Sequence, residues 1–120
     1  KLRGDAEYVV WGTGRPMREF LYVDDLADAC VHLMERGYDG PLVNMGTGTD
    51  VTIRELAETV MQVVGFGGRI VFDDSKPDGT PRKLLDVSRL AGLGWTAKTT
   101  LRDGIRMAYK AAPFFRGQAS

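Results

Sequence analysis

A chain of 120 residues with 16 basic and 16 acidic side chains has a formal net charge of zero. This balance provides no overall field to attract nucleic acid or an acidic membrane, so neither is predicted as a partner. The length suits one small domain, and the single cysteine, Cys30, excludes an internal disulfide and fits a reducing compartment. Because no stretch is apolar for long enough to cross a bilayer and no signal-peptide pattern is present, the sequence predicts a cytoplasmic protein.

The first predicted elements surround a loop rich in glycine and proline. Residues 8–11 and 20–23 consist of strand-forming side chains and are predicted as strands. Residues 12–16 lie between them as a tight turn, in which Gly12 and Gly14 adopt backbone angles that other residues avoid.

A helix is predicted next, from Asp25 to about Arg36. Asp24 or Asp25 is expected to accept the free N–H groups at its start, and Gly37 ends it. Its apolar residues recur at helical spacing and are Leu26, Ala29, Cys30, Leu33 and Met34.

The middle of the chain predicts a strand, a helix and another strand. Residues 42–45 and 69–72 are the two strands. Thr52 and Glu55 have the spacing of a capping box that opens the helix, and Gly65 ends it. One face of this helix is apolar and comprises Ile53, Leu56, Ala57, Val60 and Val64.

The last third begins with an irregular loop over residues 76–83, because three proline and glycine residues interrupt it. A short helix over 87–90 follows. Thr100 and Asp103 predict a second capping box, and the helix after them ends near Pro113 with a frayed tail over 117–120. Its core-facing residues are predicted as Leu101, Ile105, Ala108 and Ala112.

Short strands that alternate with amphipathic helices indicate the α/β class. Three or four short strands make a small sheet, so the lobe is expected to need another surface to cover it. The chain begins at Lys1, not methionine, which suggests a processed or arbitrarily cut start.

Several kinds of chemistry lack their motif. Gly12-Thr13-Gly14 and Gly46-Thr47-Gly48 have no third glycine for a dinucleotide pyrophosphate, and none of the 4 tyrosines has a lysine at the following fourth position. No cofactor site is therefore predicted. Cys30 and His32 point to different faces of their helix, so a buried inert thiol and a surface imidazole are expected instead of a metal site.

The loop at the start of the chain is also the main candidate for ligand binding. Trp11 places a planar ring near Arg15 and Arg18, and paired guanidinium groups match the oxygens of a phosphate. A structural turn with solvated arginines explains the same residues, and Arg18 has Glu19 and Asp24 as possible ion-pair partners.

Residues 18–29, Arg-Glu-Phe-Leu-Tyr-Val-Asp-Asp-Leu-Ala-Asp-Ala, resemble a segment shared by extended short-chain dehydrogenases/reductases. Residues 11–18 and 75–90 resemble the narrower GDP-L-fucose synthase branch, and the similarity runs from about Tyr8 to Tyr109. It implies that the chain is one C-terminal substrate-binding lobe over residues 1–120, corresponding to about the last third of such an enzyme. The N-terminal NADP-binding Rossmann domain and the catalytic Ser, Tyr and Lys would lie outside it, so no catalytic residue is assigned.

The resemblance also implies three substrate contacts. Arg18 would clamp the diphosphate of a GDP-sugar, Trp11 would form a flat wall, and Asp78 would accept from guanine N1–H and the 2-amino group. A buried Trp11 and an Asx turn at Asp78 are the structural alternatives. Arg82 and Lys83 are expected to be solvated more than to approach the phosphates.

Two functions are thus predicted. The first is the GDP-sugar grip of an NADP-dependent epimerase/reductase that makes GDP-L-fucose from GDP-4-keto-6-deoxy-mannose, with no cofactor bound by this chain and no activity alone. The alternative is a free-standing interaction module that forms a homo-oligomer through the surface left by the missing domain, with a vestigial nucleotide-sugar pocket.

Overall fold

The computed structural model describes residues 1 and 3–112, in which short strands alternate with helices. The α/β class is therefore confirmed, as a small unit. In chain order the elements are β1 (Glu7–Trp11), β2 (Met17–Arg18), α1 (Val23–Glu35), β3 (Val51–Thr52), α2 (Ile53–Val64), β4 (Arg69–Asp73), β5 (Arg82–Lys83), α3 (Ser88–Gly92) and α4 (Leu101–Ala111).

The strands of the described residues form two small sheets, not the single small sheet that was predicted. β1 and β4 pair in parallel, with Tyr8 opposite Ile70 and Trp11 opposite Asp73. β2 lies between β3, to which it is antiparallel, and β5, to which it is parallel. The second sheet thus brings residues near position 18 beside residues near position 83.

Helix α2 follows its sequence signals closely. The Thr52 hydroxyl accepts from the Glu55 N–H at 3.0 Å, and the Glu55 carboxylate accepts from the Thr52 N–H at 2.9 Å, which confirms the capping box. Gly65 ends the helix at φ 65°, an angle that favours glycine. The predicted apolar face of α2 lines an open groove together with β1 and β4; the lining includes Tyr8, Ile53, Leu56, Val60, Val64 and Ile70.

Helix α1 begins earlier and by other means than predicted. Residues 20–22 form no strand, and the N-cap is Tyr22, whose side chain makes no capping hydrogen bond. Asp25 is buried, and its carboxylate accepts from the N–H groups of Lys98 and Thr99 at 3.1 and 2.9 Å. The Asp25 carboxylate, which was predicted to accept from the helix start, therefore accepts from the distant residues 98–99 instead.

The core beneath α1 is small. Ala29, Leu90 and Trp95 are 0%, 1% and 4% exposed and form the buried hydrophobic core of the described residues. Cys30 belongs to the predicted stripe but is exposed, so the expectation of a buried thiol is wrong. Helical spacing marks one face of α1, whereas the packed elements cover only part of that face.

Three further expectations need correction. Residues 42–45 form no strand, since no described strand pairs with them; Leu42 is 95% exposed and its carbonyl accepts from Arg89. Thr100 caps α4 by accepting from the Asp103 N–H at 3.2 Å, while the Asp103 carboxylate accepts from Arg106. Ala108, predicted to face the core, is exposed.

The end of the chain lies outside the described residues. The predicted helix end near Pro113 and the predicted frayed tail over 117–120 both fall there. Within the described part, no helix combines the length and apolar character that a membrane span requires.

The molecule is flat, with principal extents of 51 × 41 × 16 Å. Its radius of gyration is 17.3 Å, whereas a compact domain of this length is expected near ~14 Å. A thin layer cannot surround its own apolar faces, which explains why so few side chains are fully buried.

Candidate functional site

The loop over residues 12–16 is held rigidly from two sides. Gly12 at φ 94° continues the β1–β4 pairing by donating its N–H to the Asp73 carbonyl at 2.8 Å. The carbonyls of Gly14 and Pro16 accept from the first N–H groups of α2 at 3.0 and 2.9 Å. Because loop carbonyls and the Thr52 hydroxyl satisfy these N–H groups, the α2 N-terminus anchors the loop and is not open to an anion.

A second loop, over residues 74–81, is joined to the first by Asp78. The Thr13 N–H donates to Asp78 Oδ1 at 2.8 Å, and the Thr13 hydroxyl donates to Oδ2 at 2.7 Å. Both donors of Thr13 lower the pKa of the Asp78 carboxyl from its ordinary value, and the hydroxyl has the larger effect. The side chain is exposed and does not form the predicted Asx turn within its own loop.

Arg18 reaches the same junction from β2. It is half-buried and donates from Nη1 to the Met17 carbonyl at 2.7 Å, and a Cβ built on Gly79 would lie 3.1 Å from its Nη2. Among the described residues neither Glu19 nor Asp24 forms an ion pair with Arg18. Its guanidinium therefore lies next to the residue that follows Asp78.

Trp11 is exposed at the end of β1. Its exposed fraction is 72%, which rules out the core alternative in this chain, and the Lys76 ammonium lies 5.3 Å from the ring centroid. The structure thus places Trp11, Arg18 and Asp78 around one junction, formed by the end of β1, by β2 and by the 74–81 loop.

Glu19 organises the structure behind this junction, a role that sequence reasoning missed. Its carboxylate accepts from the Gly48 N–H at 2.6 Å and from the Leu85 N–H at 3.4 Å. A Cβ on Gly46 would lie 2.7 Å from Glu19 Oε2, so the chain passes very close to the carboxylate. The glycine-rich 46–48 loop therefore surrounds the Glu19 carboxylate, and no local signal in the sequence links these two segments.

Arg82 is also held more firmly than expected. It forms a two-point ion pair with Asp50, with Nε–Oδ2 and Nη2–Oδ1 distances of 2.6 and 3.3 Å. The Asp50 side chain is only 7% exposed, and its hydrogen bond and charge raise the pKa of Arg82. Arg82 thus fastens β5 to the segment before β3 and is not simply solvated.

The Cys30 and His32 pair forms no metal site. His32 is half-buried, not a free surface imidazole, and its Nε2 lies 2.8 Å from the Leu93 carbonyl. Across residues 1 and 3–112, no group of three or more His, Cys, Asp or Glu side chains is arranged to hold a metal ion.

Comparisons with known proteins show which proteins this chain resembles. A profile of the NAD dependent epimerase/dehydratase family matches residues 1–46. Over 109 residues the chain is 62% identical to GDP-L-fucose synthase 1 of Arabidopsis thaliana, a match that covers 91% of this chain and 34% of that protein. The chain is thus similar to GDP-L-fucose synthases over most of its length. It is also 54% identical over 113 residues to GDP-L-fucose synthase of Escherichia coli strain K12, covering 87% of this chain and 35% of the relative.

The chain therefore spans about a third of the length of the curated family members that it matches. Solved structures agree on the fold. A GDP-6-OMe-4-keto-L-xylo-heptose reductase from C. jejuni matches with a TM-score of 0.81 at 38% identity, covering 93% of this chain and 34% of that one. A UDP-glucose 4-epimerase from Thermotoga maritima matches with a TM-score of 0.81 at 28% identity, covering 99% and 37%.

Proposed function

We propose that this chain is the GDP-sugar-binding portion of a GDP-L-fucose synthase and that it has no catalytic activity alone. The similarity to GDP-L-fucose synthases over about a third of their length supports this origin. Residues 1–120 would form a single substrate-binding domain. NADP would bind a part of the whole enzyme outside this chain, because neither glycine loop of the chain has the third glycine of a dinucleotide site. Two solved relatives are described with NADP or NADPH.

The observation that carries the proposal is the junction of the two loops around Trp11, Arg18 and Asp78. Arg18 would donate two N–H groups to the diphosphate, a fork that matches phosphate oxygens. Trp11 would offer its exposed ring as a wall for the base or sugar. These roles need a cation, an aromatic face and a carboxylate within one nucleotide's reach, and the hydrogen bonds between the loops supply that proximity.

Asp78 would choose the base. The fold itself does not, because a relative with the same fold is described with UDP-glucose. A carboxylate accepts from guanine N1–H and the 2-amino group together, a pair of donors that adenine and uracil lack, and guanine would replace the Thr13 donors that hold both oxygens here. An aspartate is ionised at neutral pH, and Thr13 lowers the pKa of Asp78 further.

Calorimetry with the purified chain tests the proposal. We expect weak binding of GDP and GDP-fucose, with GDP preferred over ADP and UDP by about 10-fold, the size of one two-point base contact. Asp78→Asn should remove the preference, whereas Asp74→Asn, an exposed acid in the same loop, should retain it. Equal affinity for GDP and ADP would overturn the nucleotide role, and steady NADPH oxidation by the chain alone would overturn the claim of inactivity.

A second candidate function is self-association. The groove between α2 and the β1–β4 sheet has a volume of about 450 Å³ and is lined mainly by apolar side chains, and Tyr8 in this lining is 64% exposed. A second copy of the chain would cover this surface. Analytical ultracentrifugation should then show a concentration-dependent dimer, and monomers at the highest accessible concentration would exclude it.

A further inference from the structure

The tip of the second loop, residues 77–80, is fastened by one residue of the first loop. The Thr13 N–H donates to Asp78 Oδ1 at 2.8 Å, and the Thr13 hydroxyl donates to Oδ2 at 2.7 Å. On either side of the tip, backbone hydrogen bonds of 3.2 and 2.8 Å join Lys76 to β4 and Pro81 to β2. Within the part of the chain that the structure describes, residues 77–80 make no hydrogen bond other than the two from Thr13. Release of this one contact would therefore free the tip.

The two donors of Thr13 occupy the part of the carboxylate that a base would need. An ionised carboxylate has about four lone-pair sites, and two of them lie parallel along one edge, where a pair of parallel donors fits. Thr13 presents one donor to each oxygen and so takes this edge of Asp78. The remaining lone pairs diverge, so the rigid donor pair of guanine, N1–H and the 2-amino group, cannot meet both of them. A guanine that binds Asp78 therefore has to displace Thr13.

The first loop is well suited to hold the carboxylate in this way. Arg15 donates its N–H to Thr13 Oγ1 at 3.2 Å, which leaves the single hydroxyl proton of Thr13 for Asp78. A Cβ on Gly12 would lie 2.4 Å from Asp78 Oδ1, and its φ of 94° is one that residues with side chains avoid. The carboxylate consequently lies directly against the backbone of the first loop.

Other residues of the second loop lie on the remaining groups of the junction. The Lys76 ammonium is 5.3 Å from the centroid of the Trp11 ring, and a Cβ on Gly79 would lie 3.1 Å from Arg18 Nη2. The second loop thus lies over the groups to which the proposed function assigns the nucleotide. The contact with Thr13 keeps it there.

We propose that Thr13 competes with the base of the nucleotide for the Asp78 carboxylate. This inference rests on the proposed function, because it concerns the same carboxylate. Guanine replaces both donors of Thr13, one for one, whereas adenine has no such pair of donors and leaves the contact in place. Thr13 therefore lowers the affinity for a guanine nucleotide and reserves Asp78 for a base that can replace both donors.

The test compares Thr13→Val with Thr13→Ser in the full chain, by calorimetry with GDP and ADP. Valine keeps the branched shape but removes the hydroxyl, so the competitor loses one of its two hydrogen bonds to a charged group and GDP affinity should rise about 10-fold. ADP affinity should stay the same, and serine, which keeps the hydroxyl, should behave like threonine. Thr59→Val is a matched control, because the Thr59 hydroxyl donates to the Glu55 carbonyl within α2, away from the junction.

Two further measurements separate competition from a merely structural role. In an Asp78→Ala background the carboxylate is gone, so Thr13→Val should give no gain in GDP affinity. Without any nucleotide, NMR relaxation of the Asp78 and Gly79 amides should show larger motions in Thr13→Val than in Thr13→Ser, because the tip has lost half of its fastening.

Failure of the inference is distinguishable from failure of the proposed function. If the unaltered chain shows no preference for GDP over ADP, the proposed function fails, and the relaxation comparison still decides whether Thr13 fastens the tip. If that preference exists and Thr13→Val leaves GDP affinity unchanged or lowers it, only the competition is overturned. Should Thr13→Val not fold, NMR of the unaltered chain decides: the Thr13 amide proton should shift when GDP displaces it from Asp78 and stay in place with ADP, and an amide that ignores saturating GDP would refute the competition.

Discussion

The core beneath α1 and the groove beside α2 bury apolar side chains in opposite ways. Ala29, Leu90 and Trp95 form a small cluster that solvent hardly reaches. Helix α2 has the more regular apolar face, yet none of its residues is fully buried. Amphipathic periodicity therefore predicts which face a helix turns inward, but the extent of burial depends on what the rest of the fold places against that face.

Polar contacts account for much of this difference. The Trp95 indole N–H donates to Asp28 at 2.9 Å, and Lys98 contacts the same carboxylate at 3.0 Å. Both groups lower the pKa of Asp28, and the indole N–H has the larger effect. Together with the bonds from Asp25 to residues 98–99, they draw the segment after α3 onto α1 and close the core.

The largest expected effect on stability is at one of the two tryptophans, since Trp95 lies in the core and Trp11 lies on the surface. Trp95→Ala should lower the free energy of unfolding by about 3–5 kcal/mol, because it leaves a cavity at a buried site. Trp11→Ala, at a side chain that is 72% exposed, should change it by no more than ~0.5 kcal/mol. Urea denaturation measures both, and equal losses would break the distinction drawn here.

A smaller effect should follow from Asp25→Ala, which sharpens the role of the polar contacts. Without the carboxylate, the N–H groups of Lys98 and Thr99 lose their acceptor, at a cost of about 2 kcal/mol. Asp24→Ala is the exposed control one position earlier and should be nearly neutral. The urea midpoints of the two variants provide the measurement, and matching midpoints would show that the buried contacts are dispensable.

Local signals predicted the parts of the fold whose cause is local. The capping box at Thr52 and the end of α2 at Gly65 depend on interactions within a few residues. The strands β1 and β4 were predicted from side-chain shape, and each has the other as its partner. Residues 20–22 and 42–45 also have strand-forming side chains, but a strand requires a partner, and no described strand pairs with either segment. Sequence composition cannot supply that partner.

In the candidate site, too, the residues were predicted from sequence motifs, whereas the contacts between distant segments were not. Trp11, Arg18 and Asp78 were named from motifs, and whether they bind GDP-sugar stays a prediction. The hydrogen bonds of Thr13 and Glu19 were not foreseen, since they join segments up to 66 positions apart. Even the expected partners of Arg18 were wrong, because Glu19 is committed to the 46–48 loop instead.

The amino-acid sequence by itself determined the α/β class, the family resemblance, α2 with both of its ends, and the residues with the right chemistry for a nucleotide-sugar. Tertiary structure alone decided that Trp11 is exposed while Trp95 is buried, and that Asp78 meets Thr13. The physical reason is one of range. Backbone angles and caps are set by near neighbours, whereas burial and the plane of a carboxylate are set by atoms that chain folding brings from far along the sequence.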